Sequence, residues 1–392
     1  MLELLPPSPV DPLWAVAAEL DADPRPERLN LVLGVYRDET GVTPVMSAVR
    51  QAERLLADRA ASKEYRGLSG NPAFNRAMAT AVLGTGGPAD RATAVQTVAG
   101  TGALRLLADL VQRTRPGATV WISDPAYVNH RPIMEAAGLA VRTYDYVGPD
   151  GGLALELLLA DLDAARPGDV VLLQGCCHNP TGVDLTPRAW QALAEHAERR
   201  GWIPFVDLAY HGLGDGLDAD LAGTRLLAER LPELLIAVSC SKNFGLYSDR
   251  TGCAIVVAAS RGSADQAETA LQNLARTLYS MPPEHGAAVV ATILDDDRLR
   301  ADWQAELDGM RARITAVRTD LVAGLEALGR EAVARRLARQ RGMFSMLPLS
   351  PDRMLELRTR HAVYGTSAGR INIAGVSAHQ VPYLARAVAA VL

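Results

Sequence analysis

The chain has 392 residues, 48% apolar and 22% charged, which is enough for a large buried core in two or three domain units and excludes disorder, collagen and coiled coil. A formal charge of -5 leaves no global basic field to draw in nucleic acid. The longest apolar runs, such as 287–294, are far too short to span a bilayer, and the start MLELLPPSPVDP lacks the basic region of a signal peptide.

Along the chain, helix and strand patterns alternate without repeats or low-complexity tracts. The first forty residues are proline-rich and lack a core of their own. The pattern predicts helices over 48–60 and 103–114, the second stopped near Pro116-Gly117. A short buried strand follows at 119–123 (TVWIS), then a helix closing at 135–138 and a strand at 140–144. DVVLLQ (169–174) reads as a strand, 187–200 as a helix with proline in its first turn and Gly201 at its end, and WIPFVD (202–207), LLIAVS (234–239) and GCAIVVA (252–258) as strands. Strands that are continuous apolar runs separated by helices indicate a mostly parallel sheet covered on both faces. From about 307 to 339 the pattern is long-helical and charged; short strands at 343–347 and 370–374 and a last helix over 378–392 complete a smaller α+β unit. The expected organisation is an arm at 1–44 packing with that unit, a large α/β domain at 45–305 and a small domain at 306–392.

The four cysteines, Cys176, Cys177, Cys240 and Cys253, show no CxxC spacing, which favours a reducing cytoplasm and argues against a zinc site. Of 40 basic residues only Lys63 and Lys242 are lysines. Chemistry that needs a side-chain amine therefore has two candidates. Lys63 sits in a charged, surface-like stretch. Lys242 follows Ser239, Cys240 and Ser241 at the end of a buried strand, where a lysine is unfavourable unless paired or functional and where burial favours the nucleophilic amine.

In open α/β sheets, ligands bind beyond the carboxyl ends of strands. After DVVLLQ come His178, Asn179, Pro180, Thr181 and Gly182; after WIPFVD, Asp207 itself and Tyr210; after LLIAVS, Ser239, Ser241 and Lys242; after QTVA, Gly100, Thr101 and Gly102 opening a helix. The Gly-Thr-Gly turn is either a plain helix start or a phosphate seat on free N–H groups. Asp207 is either a turn residue or a buried carboxylate facing a cationic ring nitrogen. Arg250 suits bidentate anion binding. A lysine for an aldehyde, an aspartate for a pyridinium nitrogen and Ser, Thr, Arg and a helix start for a phosphate together describe pyridoxal phosphate (PLP).

The string SCSKNFGLYSDR (239–250) resembles the lysine segment of fold-type I PLP aminotransferases, in the aspartate/aromatic aminotransferase subgroup. NLVLGVYRDETG (30–41), AGTGALR (99–105), GCCHNPTG (175–182), YSMPPEHGA (279–287) and GRINIAG (369–375) resemble other segments of that subgroup in the same order, nearly end to end. The resemblance implies a large domain with a mostly parallel seven-stranded sheet sandwiched by helices, a smaller α+β domain, and a cytoplasmic homodimer with active sites at the subunit interface. It implies an amino group moved between an L-amino acid, dicarboxylic or aromatic, and a 2-oxo acid, in a ping-pong sequence through pyridoxamine phosphate, with no metal, nucleic acid or membrane partner.

By the same resemblance, Lys242 carries PLP and moves the substrate proton. Asp207 keeps the pyridine nitrogen protonated, with His130 behind it, and Tyr210 and Asn179 bind the ring oxygen. Gly100, Thr101, Ser239, Arg250 and the partner's Tyr65 hold the phosphate. Arg370 takes the substrate α-carboxylate with Gly34 and Asn179 nearby, and Arg276 reaches across the dimer to a side-chain carboxylate. His178 and His130 read as structural hydrogen-bonding residues rather than acid–base groups. The chain departs from the subgroup at Tyr127, where the ring-stacking residue is commonly Trp, and at Glu64, Cys240 and Met281. Those changes leave open elimination, replacement or carbon–carbon bond formation by the same fold. The intact set of lysine, acid, tyrosine and arginines argues against a degenerate, non-catalytic domain.

Overall fold

The structure, a computed structural model, describes residues 2–4, 12–60 and 62–392. Most of the proline-rich start, 5–11, lies outside the described residues. The chain forms two compact units: Pro44–Asn179 with Val183–Ala312, and Met1–Thr43 with Pro180–Gly182 and Arg313–Leu392. The division expected at 305/306 falls within the helix Asp297–Ala327, in which the contact boundary lies at 312/313.

The strands among the described residues are β1 (Leu29–Asn30), β2 (Ala92–Val98), β3 (Thr119–Asp124), β4 (Ala140–Asp145), β5 (Val170–Gln174), β6 (Ile203–Leu208), β7 (Leu234–Ser239), β8 (Thr251–Val257), β9 (Phe344–Met346), β10 (Val363–Tyr364) and β11 (Arg370–Asn372). Seven of them build the sheet of the larger unit, in the order β2-β8-β7-β6-β5-β3-β4. Six run parallel; β8 runs antiparallel to both β2 and β7. Reversal of β8 puts its start, not its end, at the edge where the other strands finish. The register sets Val98 opposite Thr251 and Gly252 opposite Ser239, so the segment 250–252 joins the ends of β2 and β7.

β5, β7 and β8 are buried along their whole length, as apolar runs covered on both faces require. The edge strand β4 departs from that pattern, with only Tyr144 buried. One face of the sheet is covered by the helix Ala99–Thr114, whose Leu104, Leu107, Leu110 and Val111 recur at helical spacing and join Val95, Val120, Phe205, Ala237 and Ala254 in one core. Each leucine, valine or phenylalanine among them contributes about 1.5–3 kcal/mol by leaving water. The helix Pro187–Arg200 has the predicted ends: Thr186 accepts from the Ala189 N–H, Pro187 occupies the first turn, and Gly201 ends it at φ 76°.

In the smaller unit β1 pairs parallel with β10 and β9 antiparallel with β11. The helical stretch read as continuous over 307–339 breaks at Gly329 (φ 71°) into Asp297–Ala327 and Glu331–Ala338. The strand expected over 370–374 ends at Asn372, because that side chain accepts from the Ala374 N–H and turns the chain into a 3₁₀ helix, Ile373–Gly375. The final helix is Val381–Val391, preceded by a 3₁₀ turn at Ala378–Gln380. No helix among the described residues is long and apolar enough to cross a membrane.

Candidate active site

The larger unit gathers its candidate residues along one sheet edge. The ladder pairs Gln174 with Asp207 and Asp207 with Ala237, so the ends of β5, β6 and β7 lie side by side. Asp207 is buried, and the Nε2 of the fully buried His130 lies 2.9 Å from its Oδ2. The ring of Tyr127 stands edge-on to His130, with centroids 5.2 Å apart. Lys242 is half-buried and holds its Nζ 4.9 Å from the centroid of the Tyr210 ring. The Tyr210 hydroxyl accepts from Asn179 Nδ2 at 3.1 Å. Asn179 is held in turn by Gln174, which donates to its carbonyl and accepts from its N–H, both at 2.8 Å.

The loop that carries Asn179 owes its shape to Asp184, a residue sequence reasoning passed over. Its carboxylate accepts the N–H groups of Cys177 and His178, each at 2.8 Å, and this holds Cys177 at a positive φ of 51°. The only sequence signal was an acid two residues after an Asn-Pro-Thr-Gly turn. His178 stacks on Tyr146 with centroids 3.9 Å apart and approaches Ser123 Oγ to 3.0 Å. Burial, helped by the nearby His130, lowers its pKa to about 3, so it is a neutral structural group. Cys176 and Cys177 lie with Asp220 in a buried group whose ligand atoms fall within 4.8 Å. That carboxylate already accepts the N–H groups of Gly212, Gly214 and Asp215, and contact with Cys177 together with burial raises the Cys176 thiol. The group anchors a turn.

A second cluster lies at the end of β2. The helix Ala99–Thr114 begins without a side-chain cap, which leaves the N–H groups that follow Ala99 without a side-chain acceptor. Gly100 faces Ser239 so closely that a Cβ there would stand 3.0 Å from the serine Cβ. Ala99 donates to the carbonyl of Arg250, and both residues have positive φ, 57° and 55°. Arg250 and Thr101 are exposed. An uncapped helix start beside a buried serine and a solvated arginine has the donors and charge for a phosphate. With an acid backed by histidine and an amine against a tyrosine ring, these residues fit PLP.

The remaining expected residues range from exposed to fully buried. Tyr65 is 93% exposed. Arg276 and Glu64 are exposed, Met281 is half-buried and Cys240 is fully buried. Lys63 is exposed, as its surroundings suggested. In the smaller unit Arg370 is buried, donates from Nη2 to the Val32 carbonyl at 2.6 Å and lays its guanidinium 4.5 Å from the Phe344 ring centroid. Gly34 meets the same ring: a Cβ at this position would come within 2.6 Å of Phe344 Cζ.

The family model for aminotransferase class I and II matches residues 26–388. The chain belongs to that family. It is 44% identical to an aromatic-amino-acid aminotransferase of Paracoccus denitrificans over 389 residues, covering 99% of each chain. It is 43% identical to an aspartate aminotransferase of Salmonella typhi over 396 residues, covering 100% of each. The structure of an aromatic-amino-acid aminotransferase from Burkholderia pseudomallei, covalently bound to pyridoxal phosphate, superposes with a TM-score of 0.97 at 37% identity, covering 100% of this chain and 99% of that one. The fold is that of fold-type I aminotransferases, and the protein is an enzyme of amino-group transfer. Elimination, replacement and carbon–carbon bond formation find no support among these relatives.

Proposed function

We infer that this aminotransferase uses PLP on Lys242 to exchange amino groups between L-amino acids, aromatic and dicarboxylic, and 2-oxo acids, and that it does so as a homodimer in the cytoplasm. The observation that carries the reading is the run Lys242–Tyr210–Asn179 beside the Asp207–His130 pair, in a site with an uncapped helix start for an anion. When bound, PLP supplies an electron sink for the charge left at the substrate α-carbon.

The side chains divide the remaining work. The Lys242 amine takes the α-proton and returns a proton on the other side of the exchange. Asp207, in a buried place where a lone negative charge is costly, is completed by a protonated ring nitrogen in front and His130 behind. Tyr210 and Asn179, already bonded to each other, present a fixed pair of polar groups to the ring oxygen, so little reorganisation is needed at reaction. Gly100, Thr101, Ser239, Arg250 and the partner's Tyr65 hold the phosphate. Tyr127 covers the ring and offers a smaller face than tryptophan would. Arg370, with its orientation set by Val32 and Phe344, takes the α-carboxylate, and Gly34 lies against the same Phe344 ring. Arg276, exposed and unhindered, takes a side-chain carboxylate or swings aside for an aromatic ring. Kinship both to aromatic-amino-acid and to aspartate aminotransferases supports this dual substrate class.

The test is a half-reaction screen of the PLP-loaded protein with aspartate, glutamate, tyrosine and phenylalanine, followed by absorbance. Conversion with at least one aromatic and one dicarboxylic amino acid is expected. Conversion with neither class would overturn the substrate assignment.

A further inference from the structure

The loop that bears Tyr65 combines two opposite properties. Tyr65 is 93% exposed, and its neighbours Glu64 and Arg66 are also exposed. The chain directly behind it is fastened nearly residue by residue. Arg66 Nε donates to Glu284 Oε1 at 3.1 Å, and Asn71 Nδ2 donates to the same oxygen at 2.9 Å. The Asn71 N–H donates to Gln96 Oε1 at 2.8 Å, while Gln96 Nε2 donates to the Pro283 carbonyl at 2.7 Å. Between these points the Ser69 carbonyl accepts from the Gln96 N–H and from Asn75 Nδ2, and Gly70, at φ 78°, lies so close to Gln96 that any Cβ would collide with it. Asn71 also caps the helix Pro72–Leu83.

One carboxylate thus ties the residue after Tyr65 to the cap of the following helix. An ion pair of this exposure adds little to stability. Glu284 nevertheless keeps its second oxygen, Oε2, buried without a hydrogen-bond partner among the described residues, a cost that a purely stabilising surface pair would not carry. What the bridge gains is restraint: with residues 66 and 71 held on one oxygen, the chain that follows Tyr65 is fixed in place.

We propose that Glu284 is a positioning residue which, through Arg66 and Asn71, aims Tyr65 out of its own subunit and so sets how firmly the partner's site holds the PLP phosphate. The proposal rests on the reading that Tyr65 serves the partner's phosphate.

The test is a double-mutant cycle on the intact homodimer, reading the PLP dissociation constant by titration of the cofactor-free protein, with kcat and KM alongside. Tyr65→Phe raises that constant about tenfold through loss of a hydrogen bond to a charged group. Glu284→Ala raises it about fivefold in the native background and less than about 1.5-fold in the Tyr65→Phe background, and Glu284→Gln, which keeps an acceptor oxygen, recovers part of the loss. Equal effects of Glu284→Ala in both backgrounds, or none in either, overturn the proposal while leaving Tyr65 in its role. No effect of Tyr65→Phe overturns the reading of Tyr65, and the proposal with it. Should Glu284→Ala fail to fold, Arg66→Leu enters the same cycle with the same outcomes.

Discussion

The floor of the site and its rim are built in opposite ways. On the floor, Asp207, His130, Tyr210 and Asn179 are buried and hydrogen-bonded to one another or to their neighbours. On the rim, Thr101 and Arg250 are exposed. Groups that tune a proton work through a low dielectric and fixed distances, so they are buried and braced before any ligand arrives. Thr101 and Arg250 stay solvated until an anion comes, because an isolated buried guanidinium would cost more than it returns, whereas the buried Arg370 is braced by the Val32 carbonyl and the Phe344 ring. Floor substitutions should therefore act on kcat, and rim substitutions on affinity.

The largest expected effect comes from the amine that the floor's Tyr210 ring faces. Lys242→Ala should lower kcat by at least about 10⁴-fold and abolish the covalent cofactor absorption, with melting temperature nearly retained because the lysine is only half-buried. Activity without an added amine would refute the assignment. Asp207→Asn should follow, with kcat down about 10³-fold and KM changed far less, since a charge aimed at the reacting system is lost while the shape stays.

Stability supplies the next contrast. Burial holds the pKa of His178 near about 3 and that of His211 near about 4, against 6.5 in the unfolded chain. The unfolded state binds these protons first. Their contribution is whole above pH 6.5 and is lost as pH falls toward 4 and then 3, at about 1.4 kcal/mol per pH unit for each histidine. Denaturant melts between pH 7 and 4 should show the loss, and a shallower profile for His178→Asn, with the His211 part remaining, would single out one of its sources. The smallest effect belongs to the rim. Arg250→Gln should weaken PLP binding about tenfold and leave kcat at saturating cofactor nearly intact. A larger loss of kcat from Arg250→Gln than from Asp207→Asn would break the contrast between floor and rim.

Much of the floor was legible in the sequence because it follows strand ends. Lys242 stood out as one of two lysines, and apolar runs ending in Gln174, Asp207 and Ser239 marked where polar groups would collect. Other features resisted such reading. An apolar run announces burial but carries no direction, so the antiparallel course of β8, which brings Arg250 to the end of β2, could not be read from GCAIVVA. A periodic charged stretch looks continuous until Gly329 adopts a positive φ. Nothing in the sequence marked Asp184 or Glu284 as a brace, and the contact between Glu284 and Arg66 spans 218 residues.

By itself the sequence determined the elements, the amine, the acid and the order of the motifs, because these depend on burial pattern and residue chemistry over short stretches. Tertiary structure alone decided which strand runs backwards, that Pro180–Gly182 packs with the smaller unit, and which distant acid braces the Tyr65 loop. The physical reason is that hydrogen bonds and packing join groups by distance in space, and local composition carries no record of which remote segment will arrive there.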